Sequence, residues 1–390
     1  MWVLRHRFLT VILAGALVLG TIPVYFKLGS EFMPPLNEGS ILYMPTALPG
    51  MSVTEAQKVL QIQDKMLKTF PEVDHVFGKA GRMESPTDPA PFSMVETTVT
   101  LKPQSEWRKV PRNFPVWIPE SIQKIFPLRT ITFQELVDDM DAKIRLPGIP
   151  NIWTMPIKNR IDMLSTGIRT PVGIKVLGPD LKIIQKTGEQ LENILKKVSG
   201  SRNVYAERAA GGYFLDFDLN RQQLARFGLT VEEVQEFIMY AIGGENVTTL
   251  IEGRKRTPVN IRLARDFRDS IPKLKQLLIS TPLGVQVPLG DLAEFRMSEG
   301  PAMIRDENGM LAGYVYIDIA GRDIGSFVKQ AKKAVQEHLE LPKGYLLVWS
   351  GQYENMQRVR SRLKIVIPLT LFIIAMLLYL NTKSWVKTLI

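Results

Sequence analysis

Long apolar stretches without charged residues lie near both ends of this chain, at 8–26 and 365–380. The first stretch is long enough for a tilted membrane helix, and the second reaches that length with its flanking residues. Basic residues lie on the outer side of both stretches, which favours cytoplasmic chain ends. The pattern predicts transmembrane helices at 8–28 and 362–382. A cleaved signal peptide is the alternative for the first stretch, although no A-x-A-like site follows it.

The middle of the chain repeats a pattern of strand, helix and strand. One copy starts with the strand SILYMPTAL and continues through a turn in which Ser52 and Glu55 have S-x-x-E capping spacing. Two more copies start at PVGIKVLG and GYVYIDIAGRD. Such units, with helices packed against one face of a sheet, are typical of split βαβ, ferredoxin-like subdomains. The sequence therefore predicts an α+β fold built from such subdomains.

A long insertion interrupts the second copy. After the strand GYFLDFDL, Thr230 and Glu233 have capping-box spacing, and the hairpin-like stretch TTLIEGRKRTPVNIRL follows. The pattern predicts an inserted subdomain at 221–298. An insertion of this kind either projects to meet a partner or neighbouring subunit, or is a lobe without a partner, and the sequence leaves both interpretations open.

The composition excludes several classes of function. No cysteine is present, which removes disulfides, thiolate nucleophiles and cysteine metal sites. The three histidines, His6, His75 and His338, have no zinc-ligand spacing and no arrangement of nucleophile and base. The formal net charge is +10, but the basic residues form no dense tract, so nucleic-acid binding is not expected. The sequence therefore does not predict an enzyme.

Several long motifs resemble one family of transporters over nearly the whole chain. They are EFMPPLNEGSILYMPTALPGMS, APFSMVETTVTLKP, NRIDMLSTGIRTPVGIKV, AERAAGGYF, VPLGDLAEF and GQYENMQRVRSRLKIVIPLTLFIIAMLLYL. The chain resembles the second half of the inner-membrane pump of heavy-metal efflux systems in the resistance-nodulation-division superfamily. The resemblance is strongest to the copper and silver branch of these pumps.

The resemblance implies an arrangement for the whole chain. The expected parts are, in order, a transmembrane helix at 8–28, a porter subdomain at 38–170, a second porter subdomain from 171–220 and 299–352 with a docking subdomain inserted at 221–298, a transmembrane helix at 362–382 and a cytoplasmic end at 383–390. The resemblance also implies a homotrimer in the lipid bilayer of the bacterial inner membrane, with the large central domain in the periplasm. Its expected protein partners are a periplasmic adaptor and an outer-membrane channel.

Two methionines are the candidate metal ligands. Met94 in SMVETT and Met163 in RIDMLSTG match methionines of the family motifs. Neutral thioether sulfur selects soft ions such as Cu(I) and Ag(I) and carries no proton at physiological pH. Core filling is the alternative interpretation for each, because methionine readily fills gaps and the chain has 16. The strand period predicts that Met94 points away from Val95, toward a cleft.

The resemblance also predicts a third methionine near residues 206–217, where this chain has none. The remaining candidates for that ligand are Met44, Met155 and Met239. Charged residues beside the motifs either line the cleft or form a solvated surface; they are Glu96, Asp162, Glu207 and Arg208.

The expected function is binding of transported Cu(I) or Ag(I), without a cofactor, in the periplasmic part of a proton-driven efflux pump. The apolar stretches contain no ionisable residue that could relay protons, and the sequence stops at Ile390. A fragment that is not active alone is therefore expected. One alternative is a Zn(II), Co(II) or Cd(II) pump of the same superfamily, which would present carboxylates or imidazoles. Another is a two-helix periplasmic structural or regulatory membrane protein.

Overall fold

The computed structural model describes residues 6–27, 29–32, 37–47, 49–81, 90–112, 127–208, 211–301 and 303–389. The chain divides into a first unit, Met1–Gly211 with Pro301–Ile390, and a second unit, Gly212–Gly300. The α+β class predicted from the sequence is confirmed. The predicted domain boundaries stay predictions.

The strands are β1 Ser40–Tyr43, β2 Val73–Ala80, β3 Val95–Leu101, β4 Lys109–Val110, β5 Arg129–Thr130, β6 Trp153–Thr154, β7 Val172–Gly178, β8 Ser201–Ala206, β9 Gly212–Leu219, β10 Glu245–Glu252, β11 Lys255–Ile261, β12 Leu278–Ser280, β13 Gln286–Pro288, β14 Ala293–Gly300, β15 Arg305–Glu307, β16 Met310–Ile319 and β17 Leu346–Gly351. The α-helices are α1 Arg7–Lys27, α2 Val53–Lys68, α3 Phe133–Lys143, α4 Pro156–Thr166, α5 Leu181–Leu195, α6 Arg221–Arg226, α7 Val231–Ile238, α8 Ile271–Lys275, α9 Leu289–Leu292, α10 Ile324–His338, α11 Gln352–Thr382 and α12 Trp385–Leu389. Short helical turns of other types cover Gln104–Glu106, Met239–Gly243 and Arg265–Phe267.

The first sheet of the first unit is antiparallel, in the order β2-β3-β1-β6. Side chains along β1 alternate between two faces, as in any strand. Ile41 and Tyr43 lie on one face with Val99 of β3, where Leu67 of α2 and Leu136 of α3 cover them. All five side chains are fully buried. Helices therefore cover this face of the sheet.

The second sheet of the first unit has the order β15-β16-β7-β17, and β8 also pairs with β16. Its pairs are antiparallel, with Val315 of β16 opposite Ile174 of β7. These two side chains pack against Leu191 of α5 and Phe327 of α10. The second sheet, like the first, has a face covered by helices.

The other faces of the two sheets pack against each other. Leu42 and Met44 come from the first sheet, and Tyr205, Tyr314 and Tyr316 come from the second; all five belong to one buried cluster. Because β7 is covered on both faces, each of its residues is buried. This explains why its sequence is almost continuously apolar rather than alternating.

One carboxylate connects the two sheets at the side of this core. Asp141 lies in the last turn of α3. Its Oδ1 accepts hydrogen bonds from Asn151 Nδ2 at 3.0 Å and from Trp153 Nε1 at 2.8 Å. The same oxygen accepts a third hydrogen bond from Asn203 Nδ2 of β8, also at 3.0 Å. Asp141 therefore holds the end of α3, the approach to β6 and the second sheet in one arrangement.

An arginine strengthens the same connection. Arg202 of β8 pairs with Asp138 of α3 at 2.8 Å and lies 3.7 Å from Asp318 of β16. Asp318 is 5% exposed, and its Oδ2 has no hydrogen-bond partner among the described residues. Burial, opposed by the Arg202 charge and assisted by Asp141 and Asp138, raises the pKa of Asp318 to about 7.

The second unit, Gly212–Gly300, contains three two-stranded antiparallel sheets: β9 with β14, β10 with β11, and β12 with β13. Its core contains Leu224, Val234 and Leu289. The capping box predicted for Thr230 and Glu233 is present at the start of α7. The β10–β11 hairpin is exposed along its whole length.

Among the described residues, α11 is the one helix that is long and apolar enough to cross a membrane. It starts at Gln352, earlier than the predicted residue 362, so that the basic residues before the apolar stretch are helical as well. The helix α1 is close to its predicted bounds and contains the apolar stretch 8–26. A membrane-spanning role for α1 stays a prediction.

The junction of β17 and α11 has a position that only glycine fits. Gly351 has φ +83° and ψ −150°, and a Cβ there would lie 2.8 Å from the carbonyl oxygen of Pro171.

We expect Gly351→Ala to lower the free energy of unfolding by about 2–4 kcal/mol in denaturant titrations of the full chain in detergent. Gly344→Ala is the matched control, since Gly344 has φ +86° but open space around it, and it should cost about 1 kcal/mol. Equal losses would contradict the predicted steric cause.

The buried Asp318 predicts a stability that depends on pH. Its pKa is higher in the folded chain than in the unfolded one, so its contribution to stability falls as pH rises from the unfolded value of 3.8 to about 7. We expect Asp318→Asn to stabilise the chain, relative to wild type, by about 2–3 kcal/mol more at about pH 8 than at about pH 5. Unfolding curves of both proteins at the two pH values measure this difference. A gain that is the same at both values, or larger at the lower one, would exclude it.

Candidate metal site

A cleft of about 510 Å³ in the first unit brings three methionines together. Met94, Met163 and Met303 all line it. Its walls come from both sheets and from α4, and they also carry aromatic and charged side chains. We call this cavity the methionine cleft. The two methionines predicted as ligands therefore share one cavity.

Met94 directly precedes β3, at the end of a turn. Its backbone N–H donates to the Pro91 carbonyl at 2.9 Å, and it forms a single bridge with Thr46. Val95 is buried, whereas Met94 is half-buried, lines the cleft and packs against the core between the sheets. The Met94 side chain therefore both fills part of the core and lines the cleft.

Met163 lies on α4, and the ends of that helix are well defined. The Glu38 carboxylate accepts hydrogen bonds from the backbone N–H groups of Ile157 at 2.7 Å and Lys158 at 2.8 Å, which satisfies the helix start. The helix ends at Gly167, whose φ is +76°. One turn before Met163, Asn159 Nδ2 donates to the Met163 sulfur at 3.2 Å. This contact directs the thioether, which remains 36% exposed.

The third methionine of the cleft is one that the sequence reasoning missed. Met44 is fully buried, Met155 is 7% exposed, and neither lines the cleft. Met239 belongs to the second unit. Met303 lines the cleft instead, just after the chain returns from the inserted unit. None of the three candidates proposed from the sequence is among the residues that line the cleft.

The strand pairing of the insertion explains how Met303 reaches the cleft. Gly212 and Gly300 are paired partners at the ends of β9 and β14. The chain therefore leaves the inserted unit, after residue 300, beside the point where it entered, before residue 212. The predicted third methionine near 206–217 and the observed Met303 thus lie at the same junction of the chain.

Charged side chains of the cleft are mostly paired. Lys79 Nζ lies 3.0 Å from Glu96, and Arg305 Nη2 lies 3.1 Å from Glu207. Glu96, Glu207 and Arg208 line the cleft, which is one of the two alternatives drawn from the sequence. Asp162, in contrast, is buried outside the cleft lining, where it pairs with Lys158 on its own helix.

Two tyrosines of the second sheet complete the wall. Tyr205 and Tyr316 are each about one-twentieth exposed. Burial raises the pKa of Tyr205 and raises that of Tyr316 to about 12, so both hydroxyls stay protonated near neutral pH. Neither tyrosine therefore supplies an anionic ligand at physiological pH.

The donor set of the cleft differs from that of a hard-metal site. Among the described residues, no group of three or more His, Cys, Asp or Glu side chains could hold a metal ion. Neither His75 nor His338 lines the cleft. Three of the side chains that line the cleft are thioethers. Thioether sulfur suits soft, monovalent ions.

Comparison with known proteins identifies relatives of this chain. Residues 1–390 match the AcrB/AcrD/AcrF family. The chain is 43% identical over 373 residues to the cation efflux system protein SilA of Salmonella typhimurium and 42% identical over 371 residues to CusA of Escherichia coli K12. Each alignment covers 95% of this chain and 34% of the relative, so the chain spans about a third of the length of these proteins.

More distant relatives and a solved structure agree with this grouping. The cobalt-zinc-cadmium resistance protein CzcA of Cupriavidus metallidurans is 30% identical over 365 residues, covering 92% of this chain and 32% of the relative. The crystal structure of a heavy metal efflux pump superposes with a TM-score of 0.81 at 27% identity. That superposition covers 95% of this chain and 37% of the other.

Proposed function

This chain belongs to the AcrB/AcrD/AcrF family of efflux transporters, and on that premise we propose that it is the periplasmic metal-binding part of an inner-membrane pump for Cu(I) or Ag(I). The expected membership of the resistance-nodulation-division superfamily is confirmed. Because the chain spans about a third of its relatives, transport itself is proposed for a longer protein that includes this part.

The observation that carries the proposal is the presence of three thioethers in one cleft. Met94 and Met163 come from the first sheet and α4, and Met303 comes from the return of the chain into the second sheet. Cu(I) and Ag(I) are soft ions that accept two or three neutral sulfur ligands. The similarity to SilA and CusA supports the same substrate class.

Divalent cations are the alternative that one relative raises. CzcA is described as a cobalt-zinc-cadmium resistance protein. Zn(II), Co(II) and Cd(II) sites in proteins are built mainly from imidazole, carboxylate or thiolate groups. The cleft has two carboxylates, Glu96 and Glu207, and both are paired with cationic side chains. The donor set therefore favours the monovalent ions.

The proposed architecture follows the family. Residues 38–170 would form one porter subdomain, 171–220 with 299–352 the second, and 221–298 the docking subdomain, between membrane helices at 8–28 and 362–382. Met94 and Met163 then belong to the first porter subdomain and Met303 to the second. Opening of the cleft would separate Met303 from the other two sulfurs and so release the ion without a protonation step.

The proposed partners also follow the family. A homotrimer in the bacterial inner membrane would dock to a periplasmic adaptor and an outer-membrane channel and would be driven by protons. The exposed β10–β11 hairpin, which carries the apolar residues Leu250 and Ile251 at its surface, supports a protein contact in the second unit.

Metal binding tests the function directly. We expect Met94→Leu and Met163→Leu each to abolish Ag(I) binding by the full chain in detergent and nitrate buffer, measured by calorimetric titration, because leucine keeps the volume but lacks sulfur. The melting temperature should fall by no more than about 4 °C. Met303→Leu should weaken binding as well. Met239→Leu is the control, since Met239 is an exposed thioether of the second unit and should bind as wild type does.

Two results would contradict the proposed function. One is silver binding that survives replacement of Met94 and Met163 together. The other is equal loss of binding in the Met239→Leu control, which would indicate a general effect of removing thioethers.

Cross-linking tests the proposed contact of the hairpin. We expect photo-cross-linkers placed at Arg254 and Lys255, at the exposed turn of the hairpin, to form adducts with a neighbouring protein chain in the assembled full-length pump. Mass spectrometry of the adducts identifies that chain. If both positions react only with solvent in the intact assembly, the hairpin is not a docking element.

A further inference from the structure

The methionine cleft has more positive than negative charge. Cationic side chains from five residues line it, namely Lys79, Arg160, Arg169, Arg208 and Arg305. Two carboxylates, Glu96 and Glu207, line it as well. A site that accepts a metal cation would be expected to show the opposite balance, because like charges repel.

Pairing neutralises three of the five cations. Lys79 pairs with Glu96 and Arg305 with Glu207. Arg208 Nη1 lies 3.1 Å from the carboxylate of Glu192, which does not line the cleft. Among the described residues, neither Arg160 nor Arg169 has a carboxylate partner within 4.0 Å. The surplus charge of the cleft therefore belongs to these two arginines.

Arg169 is the more unusual of the two, because it is only 4% exposed. Its Nη2 donates to the Thr46 hydroxyl, and its guanidinium carbon lies 4.3 Å from the centre of the Tyr316 ring. Its Nε is buried and has no hydrogen-bond partner among the described residues. A buried guanidinium without a carboxylate partner is costly, and an anion in the cleft beside it would offset that cost.

The cleft, with a volume of about 510 Å³, has room for an anion beside the metal ion. The thioethers are neutral and do not offset the charge of either the metal or the arginines. An anion bound together with the metal would offset one of these positive charges and occupy part of this space.

We propose that the methionine cleft takes Cu(I) or Ag(I) as a complex with a halide ion, which lies against Arg169 and Arg160. This inference rests on the proposed metal-binding function and adds the chemical form of the substrate. The thioethers hold the metal, the metal carries the halide, and the guanidinium groups of Arg169 and Arg160 offset the charge of the halide. A neutral metal–halide unit is also easier to transfer from water into a partly buried cleft than a bare cation is.

Linkage between silver and chloride tests the proposal. Silver binding by the full chain in detergent is titrated at constant ionic strength in nitrate, with chloride increased stepwise below the precipitation limit. We expect the affinity, calculated from free Ag(I), to rise at least about tenfold with chloride. Binding of the bare ion would instead give one constant value. Line broadening of the ³⁵Cl resonance should require protein and silver together.

Arginine variants assign the halide site. Arg169→Gln should keep silver binding in nitrate and lose the rise with chloride, because the thioethers remain and the cation does not. If that variant does not fold, the exposed Arg160→Gln provides the second test and should reduce the rise. Arg145→Gln is the charge-matched control, since Arg145 is exposed and does not line the cleft, and it should behave as wild type.

The outcomes separate this proposal from the function on which it rests. Silver affinity that is independent of chloride in the wild type, or a chloride effect that persists in both Arg169→Gln and Arg160→Gln, overturns the halide site while leaving metal binding in place. Silver binding in nitrate that does not depend on Met94 and Met163 overturns the proposed function instead.

Discussion

The methionine cleft depends on the way Asp141 fixes the two sheets of the first unit. Its single oxygen accepts hydrogen bonds from Asn151, Trp153 and Asn203, so groups from both sheets converge on one atom. The bond from Asn203 joins residues 62 positions apart in sequence, whereas Asn151 and Trp153 lie 10 and 12 positions from Asp141. The apolar side chains between the sheets then pack in one register, which sets the separation of the cleft walls.

The alternation of side chains along the strands explains where the cleft forms. Each sheet uses one face for helices and the other for its partner sheet. At the edge of the intersheet core, the packing ends and side chains such as Met94 lie between buried and open surroundings. Methionine suits this boundary because it is flexible and apolar yet carries a donor atom. The site is thus a continuation of the core.

Local features of the sequence predicted the elements well, and long-range features did not. The caps at Ser52 and Thr230 are short-range contacts within four residues, and both are present. Met94 and Met163 could be found because they lie in motifs that resemble the family. Met303 could not, because its place in the cleft depends on the return of the chain after an insertion of 89 residues between Gly212 and Gly300. The surplus charge from Arg169 likewise becomes visible only when both sheets are assembled.

The hydrogen bond from Asn159 to the sulfur of Met163 has a consequence for conformational entropy. A free methionine side chain loses about 1.5–2 kcal/mol of rotamer entropy when it is ordered. Since the Asn159 amide already directs this thioether at 3.2 Å, much of that ordering accompanies folding of α4. In the proposed site, the amide engages one lone pair of the sulfur and leaves the other for the ion. An arriving ion would therefore meet a ligand whose direction is set before binding, and its departure would not have to await rearrangement of that side chain.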